Sequence, residues 1–145
     1  MDIQKTITGI LRKGMKSKLG NTIMDLLSKE GFRPELENGY IVFKVEGTVF
    51  YFSLDNEDEH YARLVLPNFY KAISENKVLA LYNMNYLNIR YKFTTLYMDS
   101  DNVSVSIDML FYPENIETIV FRMVSIVMDA ARDFCKEMNK GYSCY

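Results

Sequence analysis

Tryptophan is absent, histidine occurs once, and the only two cysteines, Cys135 and Cys144, lie nine residues apart with no second pair to complete a zinc set. Free thiols in a reducing cytoplasm are therefore expected. No stretch approaches the roughly 18 apolar residues of a membrane span. Lys, Gln and Thr interrupt every candidate run near the N-terminus, so a signal-peptide core is also missing. There is no Gly-rich phosphate loop, no G-x-S-x-G elbow and no C-x-x-C pair. A net charge of −2 lacks the basic excess of a dedicated nucleic-acid binder, so no nucleic-acid partner is expected. Internal repeats, low-complexity tracts and Pro/Ser-rich linkers are absent as well.

What is present is the material of one globular domain. The chain has 145 residues, 48% hydrophobic and 25% charged, with 11 Tyr, 9 Phe and 9 Met, enough to bury a core without metal or disulfide staples. Charge is uneven: residues 1–20 carry Lys5, Arg12, Lys13, Lys16 and Lys18 against Asp2 alone. This segment interleaves its lysines with Ile3, Ile7, Ile10 and Leu11. It reads as a basic amphipathic helix that packs on its own domain, with a membrane-surface or nucleic-acid adaptor as the alternative. The expected division is this N-terminal segment (1–20), a folded domain (21–140) and a short tail (141–145).

Along the domain, "TIMDLLSKEGF" places Ile23, Leu26 and Leu27 on one helical face, and Gly31 follows as a stop. "YIVFKV" and "TVFYFSL" flank Glu46–Gly47, a hairpin turn that tolerates positive φ. A third strand, "YARLVL", is expected to end at Pro67, which cannot donate to a ladder. Ser74 reads as the N-cap of a helix running to about Asn88. "YKFTTLYM" and "NVSVSIDMLF" form two more strands across Asp99–Ser100–Asp101, and Pro113 opens a long terminal helix. The expected fold is α+β, an antiparallel five-stranded sheet with helices on one face in the order α-βββ-α-ββ-α.

The densest set of ionisable groups is "SLDNEDEHYARL", with Asp55, Glu57, Asp58, Glu59 and His60. An EF-hand loop requires Gly at its sixth position and Glu at its twelfth, and from Asp55 these hold His60 and Leu66. From Asp99 they hold Ser104 and Leu110. One imidazole is too little for a transition-metal site. The stretch reads as a solvated turn, with a His60-dependent or metal-assisted enzyme as the alternative. No catalytic residue, cofactor or metal is expected.

Two surfaces read as candidates for partner binding. Tyr40, Val42, Val49 and Tyr51 lie on the side of the first hairpin opposite Phe50 and Phe52, too apolar for a wholly solvated face. On the terminal helix, Ile116, Val120, Met123, Val127, Ala130 and Phe134 form one stripe. Phe121, Val124, Met128, Ala131 and Cys135 form a second, so the apolar arc is about twice as wide as one core requires. The second stripe must meet either the N-terminal helices of the same chain or another subunit, and a subunit contact through Phe121, Val124 and Met128 is the expectation.

"YARLVLPNFY" and "NYLNIRYKFTTLYMDSDNVSVSIDMLFYPENIETI", with Asn85-x-x-Asn88 and the element order, resemble the YbjN-like family over about Asn21 to Asn139. That family comprises candidate bacterial sensory transduction regulators sharing the fold of type III secretion chaperones. The resemblance implies a YbjN-like domain over 21–140 in a non-enzymatic, bacterial, cytoplasmic and dimeric protein. It brings no catalytic residues. The expected function is an interaction module, chaperone-like or regulatory, that binds a protein or peptide and forms a homodimer.

Overall fold

The structure is a computed structural model that describes residues 17–140. Most of the basic segment, the tail and Cys144 therefore lie outside the described residues. Helix α1 (Lys18–Lys29) begins at Ser17, whose Oγ accepts from the Gly20 N–H at 3.0 Å. It buries Leu19, Ile23 and Leu27. It ends at Gly31, as expected. Gly31 sits at φ +84°, with Gly31 N–H donating to Ser28 O and Phe32 N–H to Leu27 O, the paired bonds of a Schellman stop.

Six strands follow, not five: β1 (Glu35–Glu37), β2 (Tyr40–Val45), β3 (Thr48–Leu54), β4 (Tyr61–Lys71), β5 (Thr94–Asp99) and β6 (Asn102–Leu110). Helix α2 (Lys77–Arg90) lies between β4 and β5, and α3 (Ile116–Asn139) closes the chain. The unexpected strand is β1. At three residues, two of them Glu, it has no apolar alternation to show, yet Asn38–Gly39 behind it is a strong hairpin signal. Asn38–Gly39, Glu46–Gly47 and Ser100–Asp101 all hold positive φ at both residues, the type I′ geometry whose twist matches the flanking strands. The sheet is antiparallel with order β1-β2-β3-β4-β6-β5.

Strand β4 does not stop at Pro67. Its pairing with β6 resumes at Tyr70↔Val103 after a shift in register beyond Leu66. The missing Pro67 N–H falls in that irregularity, and the neighbouring Asn68 N–H donates to the Ser104 hydroxyl at 2.8 Å. A proline is thus accommodated inside a long strand by a bulge.

Both later helices also start further on than expected, and by one device. Asn76 and Asn115 stand at the N-cap positions of α2 and α3, where Asn76 Oδ1 accepts from Ile73 N–H (2.8 Å) and Asn115 Oδ1 from Tyr112 N–H (2.9 Å). The turns "ISEN" and "YPEN" are closed by these amides, so Ser74 and Pro113 belong to the approach rather than to the helix.

The core lies between the helices and one face of the sheet. From the sheet come Ile41, Phe43, Phe50, Phe52, Leu64, Val105 and Ile107, with the Phe43 ring stacked on Phe50 and Phe52 at 5.6 and 5.8 Å. From α3 come Val120, Met123, Val127, Ala130 and Phe134, the first stripe read from the sequence. Phe69 and Tyr70 meet Phe134 edge-on, which locks the end of β4 to the helix.

Candidate functional site: the open face of the sheet

Opposed residues in an antiparallel ladder share a face, so the register alone assembles the surface away from the helices. One row runs Val42, Tyr51, Val65, Ser106 and Thr95. Lys44 opposes Val49, and Tyr97 opposes Ser104. All four hairpin residues expected at a partner surface therefore lie on this face. Tyr40 (44% exposed) and Val49 (40%) stand out in solvent, while Val42 and Tyr51 are half-buried. Val65, fully buried between Tyr51 and Ser106 in that row, gives the face an apolar floor on the side away from the helices of the described residues.

Three phenols gather here. The Tyr40 and Tyr51 rings lie 5.1 Å apart, tilted by 60°. Burial pushes the Tyr51 phenol above its ordinary range, reinforced by Tyr97 and Tyr40 and partly offset by Arg63. Beside them Arg63 grips Asp108 with both oxygens, Nε to Oδ1 at 2.6 Å and Nη2 to Oδ2 at 3.2 Å, and Tyr61 Oη donates to the same Oδ1 at 2.6 Å. The Arg63 hydrogen bond holds Asp108 below the usual carboxylate range although burial opposes it. Arg63 and Asp108 thus satisfy each other, and the tyrosines are left beside them as groups able to meet a partner. Val65, Tyr97 and Arg63 were not read from the sequence, though period-two alternation along "YARLVL" and "TTLYMD" places them on this side.

The second stripe of α3 is largely taken up inside the chain. Val124 (8% exposed) and Ala131 are buried, and Phe121, half-buried, meets Phe32 at 6.2 Å between ring centres. Met128 and Cys135 are half-buried, and burial pushes the Cys135 thiol up. Asn88 proves to be a backbone clamp: its Nδ2 donates to Leu96 O (3.0 Å) and its Oδ1 accepts from Leu96 N–H (2.8 Å).

The acidic stretch is a pair of exposed turns. Asp55 Oδ1 accepts from Glu57 N–H and Asp58 Oδ1 from His60 N–H, so these two carboxylates serve the backbone. His60 Nδ1 lies 2.9 Å from Phe111 O, which can only accept, so Nδ1 is the donor in this contact. Its ring stacks on Tyr112 at 4.6 Å. The imidazole forms part of the wall of a cleft of about 380 Å³ with Lys18, Leu19, Glu59, Phe111 and Ile116. Among the described residues no three His, Cys, Asp or Glu side chains converge as a metal site would require. No helix among them is long and apolar enough to cross a membrane.

No protein-family model and no curated protein matches the sequence. Solved structures match the fold. An uncharacterized protein from Methanothermobacter thermautotrophicus superposes with a TM-score of 0.67 at 10% identity, covering 86% of this chain and 99% of its own. YbjN of E. coli, proposed as a transcription regulator, superposes with a TM-score of 0.64 at 9% identity, covering 81% of this chain and 92% of its own. At such identities the likeness is one of fold, and the fold of this chain is YbjN-like.

Proposed function

We propose that the protein is a non-enzymatic interaction module, chaperone-like or regulatory, that binds a protein or peptide segment on the open face of its sheet and works as a homodimer in the bacterial cytoplasm. The observation that supports this reading is the patch of Tyr40, Val42, Val49 and Tyr51 over buried Val65, extended by Tyr97, on which no helix of the described residues packs. Tyrosines offer large, stiff contact area with a hydroxyl that stays satisfied in water or at an interface, the composition that recognition surfaces favour. The shared fold with YbjN is consistent with a regulatory role.

The cleft at His60 supports a second reading less well. His60 carries the one imidazole in its wall, and Asp55 and Asp58, which could have oriented the ring, bond backbone instead. The third reading, an adaptor acting through residues 1–20, falls mostly outside the described residues.

The test is affinity capture from native lysate with the wild type, Tyr40→Glu and Val49→Glu, followed by mass spectrometry. Both side chains are well exposed, so both variants stay folded. A partner captured by the wild type and lost in both variants supports the open face. Capture indifferent to both substitutions refutes it.

A further inference from the structure

The cleft beside His60 opens at the start of α1. Its lining is mainly apolar: Leu19 from α1, Phe111 and Pro113 from the link between β6 and α3, and Ile116 at the head of α3, with the Tyr112 ring stacked on the imidazole. Its surroundings are acidic. Glu59 lines it, Glu114 and Glu117 follow the lining residues Pro113 and Ile116 in the chain, and Asp55, Glu57 and Asp58 precede Glu59 in the exposed turns. None of these carboxylates is ion-paired among the described residues. An apolar hollow of about 380 Å³ ringed by unpaired negative charge suits a ligand that is greasy at its centre and basic at its edges.

Position, charge and reach point to one occupant, the chain's own residues 1–16. They run directly into Ser17 and Lys18, and Lys18 lines the cleft. They carry Lys5, Arg12, Lys13 and Lys16 against Asp2, the complement of the acidic surroundings. Ile3, Ile7, Ile10 and Leu11 follow the i, i+4, i+7, i+8 spacing of a single apolar stripe. The link from Leu11 to Lys18 extends at most roughly 25 Å, at about 3.3–3.6 Å per residue, long enough to turn back over the cleft. A tether this short holds its segment at an effective concentration in the millimolar range, so even a weak contact is populated and an untethered competitor is at a disadvantage.

We propose that the N-terminal segment docks on its own domain at this cleft, with Ile10 and Leu11 seated against Phe111 and Ile116 and with Arg12 and Lys13 facing Glu59 and Glu114. The acidic stretch before His60 is then the electrostatic receiver of the basic segment. The docked state withdraws both the apolar stripe and the positive charge, so a segment suited to adhere to any anionic surface is kept on its own fold. This depends on neither the homodimer nor the open sheet face of the preceding reading.

Nuclear Overhauser measurements on the isotope-labelled full chain test it. Cross-relaxation is expected from the Ile10 and Leu11 methyls to the Phe111 ring and to Ile116. Glu59 and Glu114 are exposed, so Glu59→Lys combined with Glu114→Lys keeps the fold, which the amide spectrum of the sheet checks. That pair should weaken the contacts severalfold, and adding Arg12→Glu with Lys13→Glu should restore them. Contacts missing between residues 3–16 and the cleft, or found instead at Tyr51 and Tyr97 on the open face, overturn the proposal. Contacts indifferent to the charge reversals overturn the part given to the acidic surroundings. A mixture of labelled and unlabelled chains should show no cross-relaxation between chains; its appearance there overturns docking within one chain.

Discussion

Thr94→Val is expected to stabilise the protein. Thr94 is the first residue of β5, opposite Ile107, and its hydroxyl is the one buried side-chain polar atom among the described residues without a hydrogen-bond partner. Burying an unpaired hydroxyl costs roughly 1–3 kcal/mol relative to water on protein scales. Valine keeps the volume and the β-branched shape that suit a strand, so the exchange removes the orphan without opening a cavity. The net gain is about 1–2 kcal/mol, which for a chain of this size raises the melting temperature by roughly 3–7 °C. Urea titration of wild type and Thr94→Val, with equal slopes, measures it directly. Thr95→Val, whose side chain is exposed on the other face, is the control and should stay within about 0.5 kcal/mol. A Thr94→Val midpoint equal to or below wild type would refute the reasoning, since it would mean the hydroxyl is satisfied.

Three further outcomes follow from local geometry. Asn76→Ala loses the bonds to Ile73 N–H and to the Tyr70 hydroxyl and should cost about 1–2 kcal/mol, whereas Ser74→Ala should cost under about 0.5 in the same denaturation assay. Gly31→Ala should cost about 1–2 kcal/mol through backbone conformation alone, because φ is +84° and a Cβ there meets nothing within 4 Å; a smaller loss measured by urea would show the turn relaxing. Tyr91 is pushed up to about 12, first by burial and then by its hydrogen bond to Asp133. A raised phenol stabilises the fold below the unfolded value near 10 and loses that contribution as pH rises through about 12, so tyrosinate absorbance should show a group titrating at about 12 that Tyr91→Phe removes.

The parts of the fold legible in the sequence are those whose cause is local. Glu46–Gly47 and the alternation on either side dictate a hairpin, Gly31 stops α1, and the strict period of Val103, Val105 and Ile107 marks a strand with one side on the apolar core. The parts that were not legible depend on distant residues. Pro67 looks terminal until Ser104, on another strand, accepts from the Asn68 N–H beyond it. Strand β1 exists because Leu36 opposes Ile41, not because "ELE" favours extension. For the open face, the four hairpin residues could be read together; alternation puts Val65 and Tyr97 on the matching side of their own strands, but the order of strands that brings them beside the hairpin is encoded by no local pattern. Helix α2 was the hardest to orient. With apolar residues around most of its circumference, periodicity cannot say which side is inward, and only the packed sheet decides.

Asn88 has a consequence beyond the stability of one loop. A sheet that ends in an unpaired strand is a template, because the next extended chain that drifts past finds a row of waiting donors and acceptors. Here the clamp on Leu96 occupies the middle of one rim with a side-chain amide that imitates a neighbouring strand. At the other rim β1 is three residues long and carries Glu35 and Glu37. A molecule with an uncovered tyrosine face would be poorly kept in a crowded cell if its rims also recruited strands. With both rims blunted, it can display that face at high concentration without seeding fibrils, and traffic with other chains is directed to its surfaces rather than to its backbone.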